Sequence, residues 1–257
     1  MRLLLAATLA ALTSCALPTL DASARYLEFE PEGDLVLSQG TTNSGNSIED
    51  LGLAEAEAAA GVALDLSFGM PTLSISSQSS SWEGEGILEN EITYDGVTLG
   101  IDTPVSSELD LGLHRALLTW DFIPGNSEFA MGVGVVGLEI AGAFEGVVPA
   151  MGVQRVEFDE TVPIPVVALR LNLDLGGVEV GGSMSGLSAN IEDNTATILD
   201  LDINGKLHLI GMQQRGGAYL MVGWRQLELD VEVEDGADRV DAALTFSGPY
   251  AGVHLSF

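Results

Sequence analysis

The chain has 257 residues, of which 46 % are apolar, and it carries a formal charge of −29 with only nine Lys and Arg residues. This charge excludes nucleic-acid binding through the phosphate backbone, which requires clusters of basic side chains. Acidic chains of low hydrophobicity tend toward disorder, whereas the mean hydropathy here is positive. The apolar side chains are therefore expected to face either a large core or lipid.

Residues 1–14 have the features of an export signal. Met1-Arg2 is a short basic segment, and the apolar run 3–12 that follows is shorter than the ~20 residues that a membrane helix requires. Residues 12–15, Leu-Thr-Ser-Cys, resemble the bacterial lipobox, which implies cleavage before Cys15 and lipidation of its thiol. The alternative is cleavage after Ala24, where residues 22–24 form an A-x-A-like site. Cys15 is the only cysteine, so the chain has no internal disulfide and no cysteine metal site.

Beyond residue 15 no stretch is long enough for a membrane helix, and the recurring pattern is alternation of apolar and polar residues with period two. In 199–209, leucine and isoleucine alternate with Asp200, Asp202, Lys206 and His208. One face fits lipid and the other fits a polar lumen, so the pattern predicts a closed antiparallel up-and-down transmembrane β-barrel. Turn signals predict about ten strands, or eight if the weak segments 33–40 and 178–188 lie outside the sheet. The predicted strand cores are 33–40, 61–68, 71–82, 104–122, 127–144, 162–174, 178–188, 195–211, 217–233 and 238–257.

The predicted connections alternate between short turns at one rim and mostly longer, acidic loops at the other, as in outer-membrane barrels. In 104–122 the apolar residues change from odd positions, such as Leu111, to even positions, such as Trp120, which predicts a β-bulge near Arg115. In the first long loop, Ser47 to Asp50 resembles a helix capping box and predicts a short helix over 51–60. Six aromatic residues are predicted to form an interfacial girdle at the short-turn rim: Phe68, Trp120, Phe122, Phe129, Tyr219 and Phe257.

The last eight residues alternate and end in an aromatic residue. Tyr250, Val253, Leu255 and Phe257 resemble the C-terminal signal of Gram-negative outer-membrane β-barrel proteins. The resemblance extends over the domain 26–257 and implies a location in the outer membrane of a Gram-negative bacterium, with outer-membrane lipid and the barrel-assembly machinery as partners.

Polar residues of the predicted strands are candidates for a network inside the barrel. Buried charges must be paired to offset desolvation, so an ion-paired plug is expected, with a narrow cation-selective passage as the alternative. The predicted lumen residues are Glu108, Asp110, His114, Arg170, Asp174, Asp200, Asp202, Lys206, His208 and Arg225.

Three other patterns have simpler interpretations. Asp200-x-Asp202-x-Asn204 resembles the start of a calcium loop, but Gly211 occupies the position of the bidentate Glu. His254-x-Ser256 is similar to the pair in outer-membrane lipid A deacylases, yet no third acid can be assigned to it. The acidic loops are candidates for holding divalent cations, but runs of charge are more often simply solvated. The sequence therefore predicts no catalytic residues, no metal site and no cofactor.

The predicted function is a structural or surface-interaction role in the outer membrane, or a narrow porin-like pore. Ten strands are too few for an open diffusion channel, which needs about 16. The alternative is a soluble periplasmic β-barrel lipoprotein that binds an apolar ligand inside the barrel. An outer-membrane lipid hydrolase is the third candidate.

Overall fold

The computed structural model describes residues 18–39, 45–123, 127–149, 151–191, 194–211, 216–235 and 238–257. The signal segment 1–14 and Cys15 lie outside the described residues. No helix in the described part of the chain is long and apolar enough to cross a membrane.

Ten long antiparallel strands form a closed ring. Each pairs with its neighbours in chain order, and the last pairs with the first from Asp21 opposite Ser256 to Gln39 opposite Asp238. The ring confirms the predicted up-and-down barrel with ten strands. The strands are β1 (Thr19–Gln39), β2 (Asn46–Ser47), β3 (Glu57–Ser67), β4 (Pro71–Ile87), β5 (Ile92–Tyr94), β6 (Val97–Leu99), β7 (Pro104–Asp121), β8 (Glu128–Val148), β9 (Gly152–Asp174), β10 (Val178–Ile191), β11 (Asn194–Gly211), β12 (Gly217–Asp235) and β13 (Asp238–Ser256), of which β2, β5 and β6 are short strands outside the ring.

Most barrel strands are longer than a bilayer requires. β8 has 21 residues and β9 has 23, whereas a transmembrane strand needs about 9–11. β1 also begins well before the predicted core 33–40, and both weak segments belong to the barrel sheet. About half of each long strand is therefore available to extend the barrel beyond a membrane.

β7 shows how the two halves differ. Its pairing with β4 and β8 runs without a register shift through Arg115, so the predicted bulge is wrong. Arg115 and Leu111 both face the interior, although one is charged and the other apolar. On the outer face, the apolar Trp120 is exposed near the short turns, whereas the charged Asp110 is exposed nearer to the long loops. The same positions therefore face inward along the whole strand. What changes along it is the polarity: apolar residues pass from the outer to the inner face, and charged residues from the inner to the outer face.

The same exchange occurs in β1, where the interior sequence passes from Arg25 to Leu27 while the outer face passes from Tyr26 to Glu28. We call the part of the barrel from the short-turn rim to the level of Arg25 and Arg115 the lower half, and the remainder the upper half. The lower half has apolar residues outside and polar residues inside, whereas the upper half has the distribution of a water-soluble protein.

The long loops complete the core of the upper half. Segments 45–56 and 88–103 fold over it, and their buried side chains include Leu51, Leu53 and Leu99. Because β3 is short, segment 45–56 also fills the wall between β1 and β4, with hydrogen bonds from Ile48 N to Gly33 O (2.9 Å) and from Ile87 N to Asp50 O (2.9 Å).

The helix predicted over 51–60 is absent from this loop. Ser47 and Asp50 do make the reciprocal hydrogen bonds of a capping box, from Asp50 N to Ser47 Oγ (3.1 Å) and from Ser47 N to the Asp50 carboxylate (3.1 Å). They close a single turn, because the leucines that follow turn into the core and β3 begins at Glu57.

The first residues of β1 are essential for closure. Residues 21–24 pair with β13 on one side and β3 on the other, and Phe257 N donates to Leu20 O (2.9 Å). We expect a chain that begins at residue 18 to refold in detergent into a form that migrates differently on gels when unheated. A chain that begins at residue 25 should lose this form, because both seams lose pairing. Equal refolding of both chains would contradict this role and favour cleavage after Ala24.

Candidate functional site

Five charged side chains from β1, β7, β11 and β12 meet across the lumen where the two halves join. Arg225 forms a bidentate ion pair with Asp200, with Nε–Oδ1 and Nη2–Oδ2 distances of 2.8 and 2.9 Å. Arg115 also pairs with Asp200, while Arg25 Nη1 lies 2.6 Å from Asp202 Oδ2. Asp200 and Arg225 are each 3 % exposed, whereas the side chains of Arg25 and Arg115 are 22 % and 17 % exposed. We call these five residues the ion-pair layer.

Neutral side chains complete the hydrogen bonds of the layer. The Tyr250 hydroxyl donates to Asp202 Oδ1 (2.7 Å), and Arg115 Nε donates to Ser76 Oγ (3.2 Å). The Gln78 side-chain carbonyl accepts a hydrogen bond from Arg225. Since β4 and β13 thus join the other four strands, the layer extends from wall to wall.

A cavity of about 410 Å³ lies between the ion-pair layer and the short-turn rim. Its charges are mostly paired: Arg170 Nε is 2.9 Å from Glu128, and Lys206 Nζ is 3.3 Å from Glu179. Arg170 also approaches Asp65 at 3.7 Å. We call this space the lower chamber.

Histidines and an aromatic ring form one side of the lower half. The Tyr219 ring lies between those of His208 and His254, at centroid distances of 5.0 and 5.5 Å. His254 Nε2 is 3.8 Å from Asp21. Asp21 is therefore the acid near His254 that the sequence could not assign, since it comes from the opposite end of the chain.

The predicted aromatic girdle is wrong at Tyr219, which is buried in the lumen, while its other members lie at the short-turn rim. Phe68, Trp120, Phe122 and Phe257 are exposed at the short-turn rim, and Phe129 packs against Phe122 (6.5 Å). Two exposed aromatic residues that the sequence analysis missed, Tyr26 and Trp224, lie on the outer face at the level of the ion-pair layer.

Seven of the ten predicted lumen residues lie on inward-facing positions of the lower half. They are Arg170, Asp174, Asp200, Asp202, Lys206, His208 and Arg225. The other three were wrong: Glu108, Asp110 and His114 are exposed on the outer face of β7. The error follows from the predicted bulge, which assigned the apolar residues of both halves to one face.

Sequence reasoning missed Arg25, Arg115 and Gln78, which complete the layer, because their partners are more than 80 residues away in the chain. In the C-terminal motif, Val253, Leu255 and Phe257 are exposed on the outer face. Tyr250 points inward to Asp202.

The outer face of the upper half is strongly acidic. This face also has a basic residue, Arg155, which lies close to the carboxylates of Glu157, Glu108 and Glu145. Its hydrogen bond to Glu157, together with the other two carboxylates, raises the pKa of the Arg155 guanidinium. No group of three or more potential metal ligands occurs in the described ranges. The exposed acids are Glu28, Glu30, Glu32, Glu83, Glu85, Glu108, Asp110, Glu139, Glu145, Glu157, Asp159, Glu228 and Asp230.

The architecture is that of a Gram-negative outer-membrane β-barrel. The outer membrane protease OmpT from Escherichia coli superposes with a TM-score of 0.57 at 9 % identity, covering 93 % of this chain and 97 % of that chain. The NalP autotransporter translocator domain from Neisseria meningitidis gives 0.46 at 13 % identity, with 98 % and 93 % coverage. Ail from Yersinia pestis gives 0.40 at 7 % identity, with 94 % and 100 % coverage. The likeness to OmpT establishes the fold alone. No protein-family model and no curated protein sequence matches the chain.

Asp200 is the centre of the ion-pair layer, so its charge is expected to matter for stability. Asp200→Asn leaves Arg115 and Arg225 facing each other without a shared carboxylate, and breaking a buried pair typically costs about 3–5 kcal/mol. We expect a loss of this size in the free energy of unfolding, measured by urea titration in detergent micelles. Asp230→Asn on the exposed face of β12 is the matched control and should change it by less than about 0.5 kcal/mol. Equal effects of the two substitutions would show that the layer is energetically neutral.

Proposed function

We propose that this chain is an integral outer-membrane protein with a sealed lumen, which presents its acidic upper half at the cell surface in a structural or surface-interaction role. The observation that carries the proposal is the exchange of face polarity along the strands. It assigns hydrocarbon as the surroundings of the lower half and water as the surroundings of the upper half.

The outer face of the lower half has the composition of a lipid-contacting belt. Val133, Ile203 and Val222 are each more than half exposed although they are aliphatic. In water such a continuous apolar surface would be an aggregation site, whereas in a bilayer it is the expected wall of a barrel. Exposed aromatic residues at both borders fit the two membrane interfaces.

The interior of the barrel favours the hypothesis of a sealed lumen and argues against a conducting pore. An ion entering the lower chamber meets the ion-pair layer and then the apolar core of the upper half. In that core Phe246 packs against Phe29 and Trp82, with centroid distances of 6.4 Å for Phe29–Phe246 and 5.1 Å for Trp82–Phe246. Their exposure is at most 1 %. Moving an ion through this core would require its desolvation without a partner, which is strongly unfavourable.

The upper half is the surface-presenting part in this proposal. With about ten residues per strand beyond the belt, a rise near 3.3 Å per residue and a tilt near 40°, it projects roughly 25 Å from the membrane. The acids on its outer wall face water. Divalent cations that bridge these acids to lipid phosphates fit the proposal, as does insertion by the barrel-assembly machinery through β13.

The other candidate functions have weaker structural support. A soluble lipoprotein with an apolar ligand requires an apolar cavity, but the apolar interior is filled by side chains and the lower chamber is lined by charges. A lipid hydrolase requires its nucleophile near lipid, whereas Ser256, like His254 beside Asp21, lines the lower chamber. We therefore propose a non-enzymatic role.

The sealed lumen is tested by conductance in planar bilayers. We expect no discrete conductance steps from the purified, refolded protein. Retention in carbonate-washed vesicles and the altered migration of the unheated protein are the controls for insertion. Reproducible steps from inserted protein would overturn the sealed lumen and favour the narrow pore, while loss from the washed vesicles would overturn the membrane assignment itself.

A further inference from the structure

The ion-pair layer has more positive than negative charge. Its three guanidinium groups face two carboxylates, Asp200 and Asp202, among the described residues. Tyr250 adds no negative charge, because its hydroxyl donates a hydrogen bond to Asp202. Arginine does not lose its proton in proteins. One positive charge is therefore left over in a layer whose two aspartates and Arg225 are buried, which is a costly arrangement unless an anion compensates it.

The remaining lumen carboxylates, which also include Asp21 and Asp174, lie nearer to the short-turn rim than the layer. Asp65 and Glu128 approach Arg170, and Glu179 approaches Lys206. They belong to the wall of the lower chamber, so they do not neutralise the layer at contact distance.

Two buried hydrogen-bond donors of the layer have no protein partner. They are Arg25 Nε and Gln78 Nε2. Gln78 is only 6 % exposed, and its carbonyl already accepts a hydrogen bond from Arg225, so its amide N–H groups are directed elsewhere. A buried donor without a partner is unfavourable and indicates a missing acceptor.

A small cavity lies where these donors meet. Its volume is about 30 Å³, above the ~10–15 Å³ that a single water requires. Gly61 contributes no side chain to its wall, which leaves this space open. The polar and glycine residues that border it are Arg25, Gly61, Ser76, Ser77, Gln78, Arg115 and Arg225.

We infer that this cavity binds one small monovalent anion, such as chloride, between Arg25, Gln78 and the neighbouring guanidinium groups. A water molecule fits by size but must also donate hydrogen bonds, and the side chains around the cavity are mainly donors. Of the two serines in the wall, Ser76 Oγ already accepts from Arg115, and Ser77 Oγ is hydrogen-bonded to His114 Nδ1. An anion accepts from every donor and neutralises the excess charge. Sulfate and phosphate are too large for the space.

The site is tested first by diffraction from crystals of the full-length protein grown in bromide. We expect an anomalous peak inside the layer within hydrogen-bond distance of Gln78 Nε2 and Arg25 Nε. Density at this position without an anomalous signal would identify a water molecule and overturn the inference. This measurement does not depend on any variant folding.

The second test is thermal unfolding in detergent at constant ionic strength. The unfolding midpoint of the wild-type protein should rise as chloride replaces gluconate. In Gln78→Glu the new carboxylate supplies the missing negative charge, so the midpoint should be independent of chloride. Gln154→Glu makes the same substitution at the loop end of β9, remote from the layer, and should respond to chloride as the wild type does. A chloride response of the same size in all three proteins, or in none, would contradict the site.

Discussion

The surroundings of the wall determine what each part of the barrel can enclose. A β-strand offers one face to each side, so where its outer face is apolar its inner face receives the polar residues, and the reverse holds where its outer face is charged. In the lower half this places the five charged side chains of the ion-pair layer inside the barrel. They are tolerable there because Arg225 and Arg115 share Asp200 while Arg25 engages Asp202. In the upper half the same strands bury leucine and phenylalanine and direct their carboxylates to water.

The ion-pair layer lies at the level where the lower half meets the upper half, and this position gives it two structural roles. It connects six strands across the barrel, and it separates the lower chamber from the apolar core. In the function that we propose, paired charges on one side and packed aromatic residues on the other close the lumen, and the barrel provides a rigid wall for surface presentation. The acidic wall of the upper half then defines what a partner would meet.

Much of the fold follows from alternation alone, because period two marks a strand whichever solvent it faces. The charges of 199–209 were correctly placed inside, since their opposite face is aliphatic throughout. β7 was misinterpreted because alternation does not say which solvent lies outside, so the exchange from Leu111 to Trp120 resembled a bulge. The first part of β1 was missed because Pro31 and Gly33 are residues that usually interrupt strands. Arg115, the second partner of Asp200, was missed because the register that brings it to Asp200 is set by the closure of the whole ring.

The exchange of face polarity is tested most directly by solvent accessibility along one strand. Single cysteines that replace outward residues of β8 in the full chain with Cys15→Ser can carry nitroxide labels, whose collision rates with oxygen and with a water-soluble nickel complex separate lipid from water. In reconstituted vesicles, labels at Met131, Val133 and Val135 should favour oxygen, whereas labels at Glu139, Ala141 and Ala143 should favour the nickel complex. Uniform exposure of all six positions to the nickel complex would contradict the account, because the lower half would then stand in water.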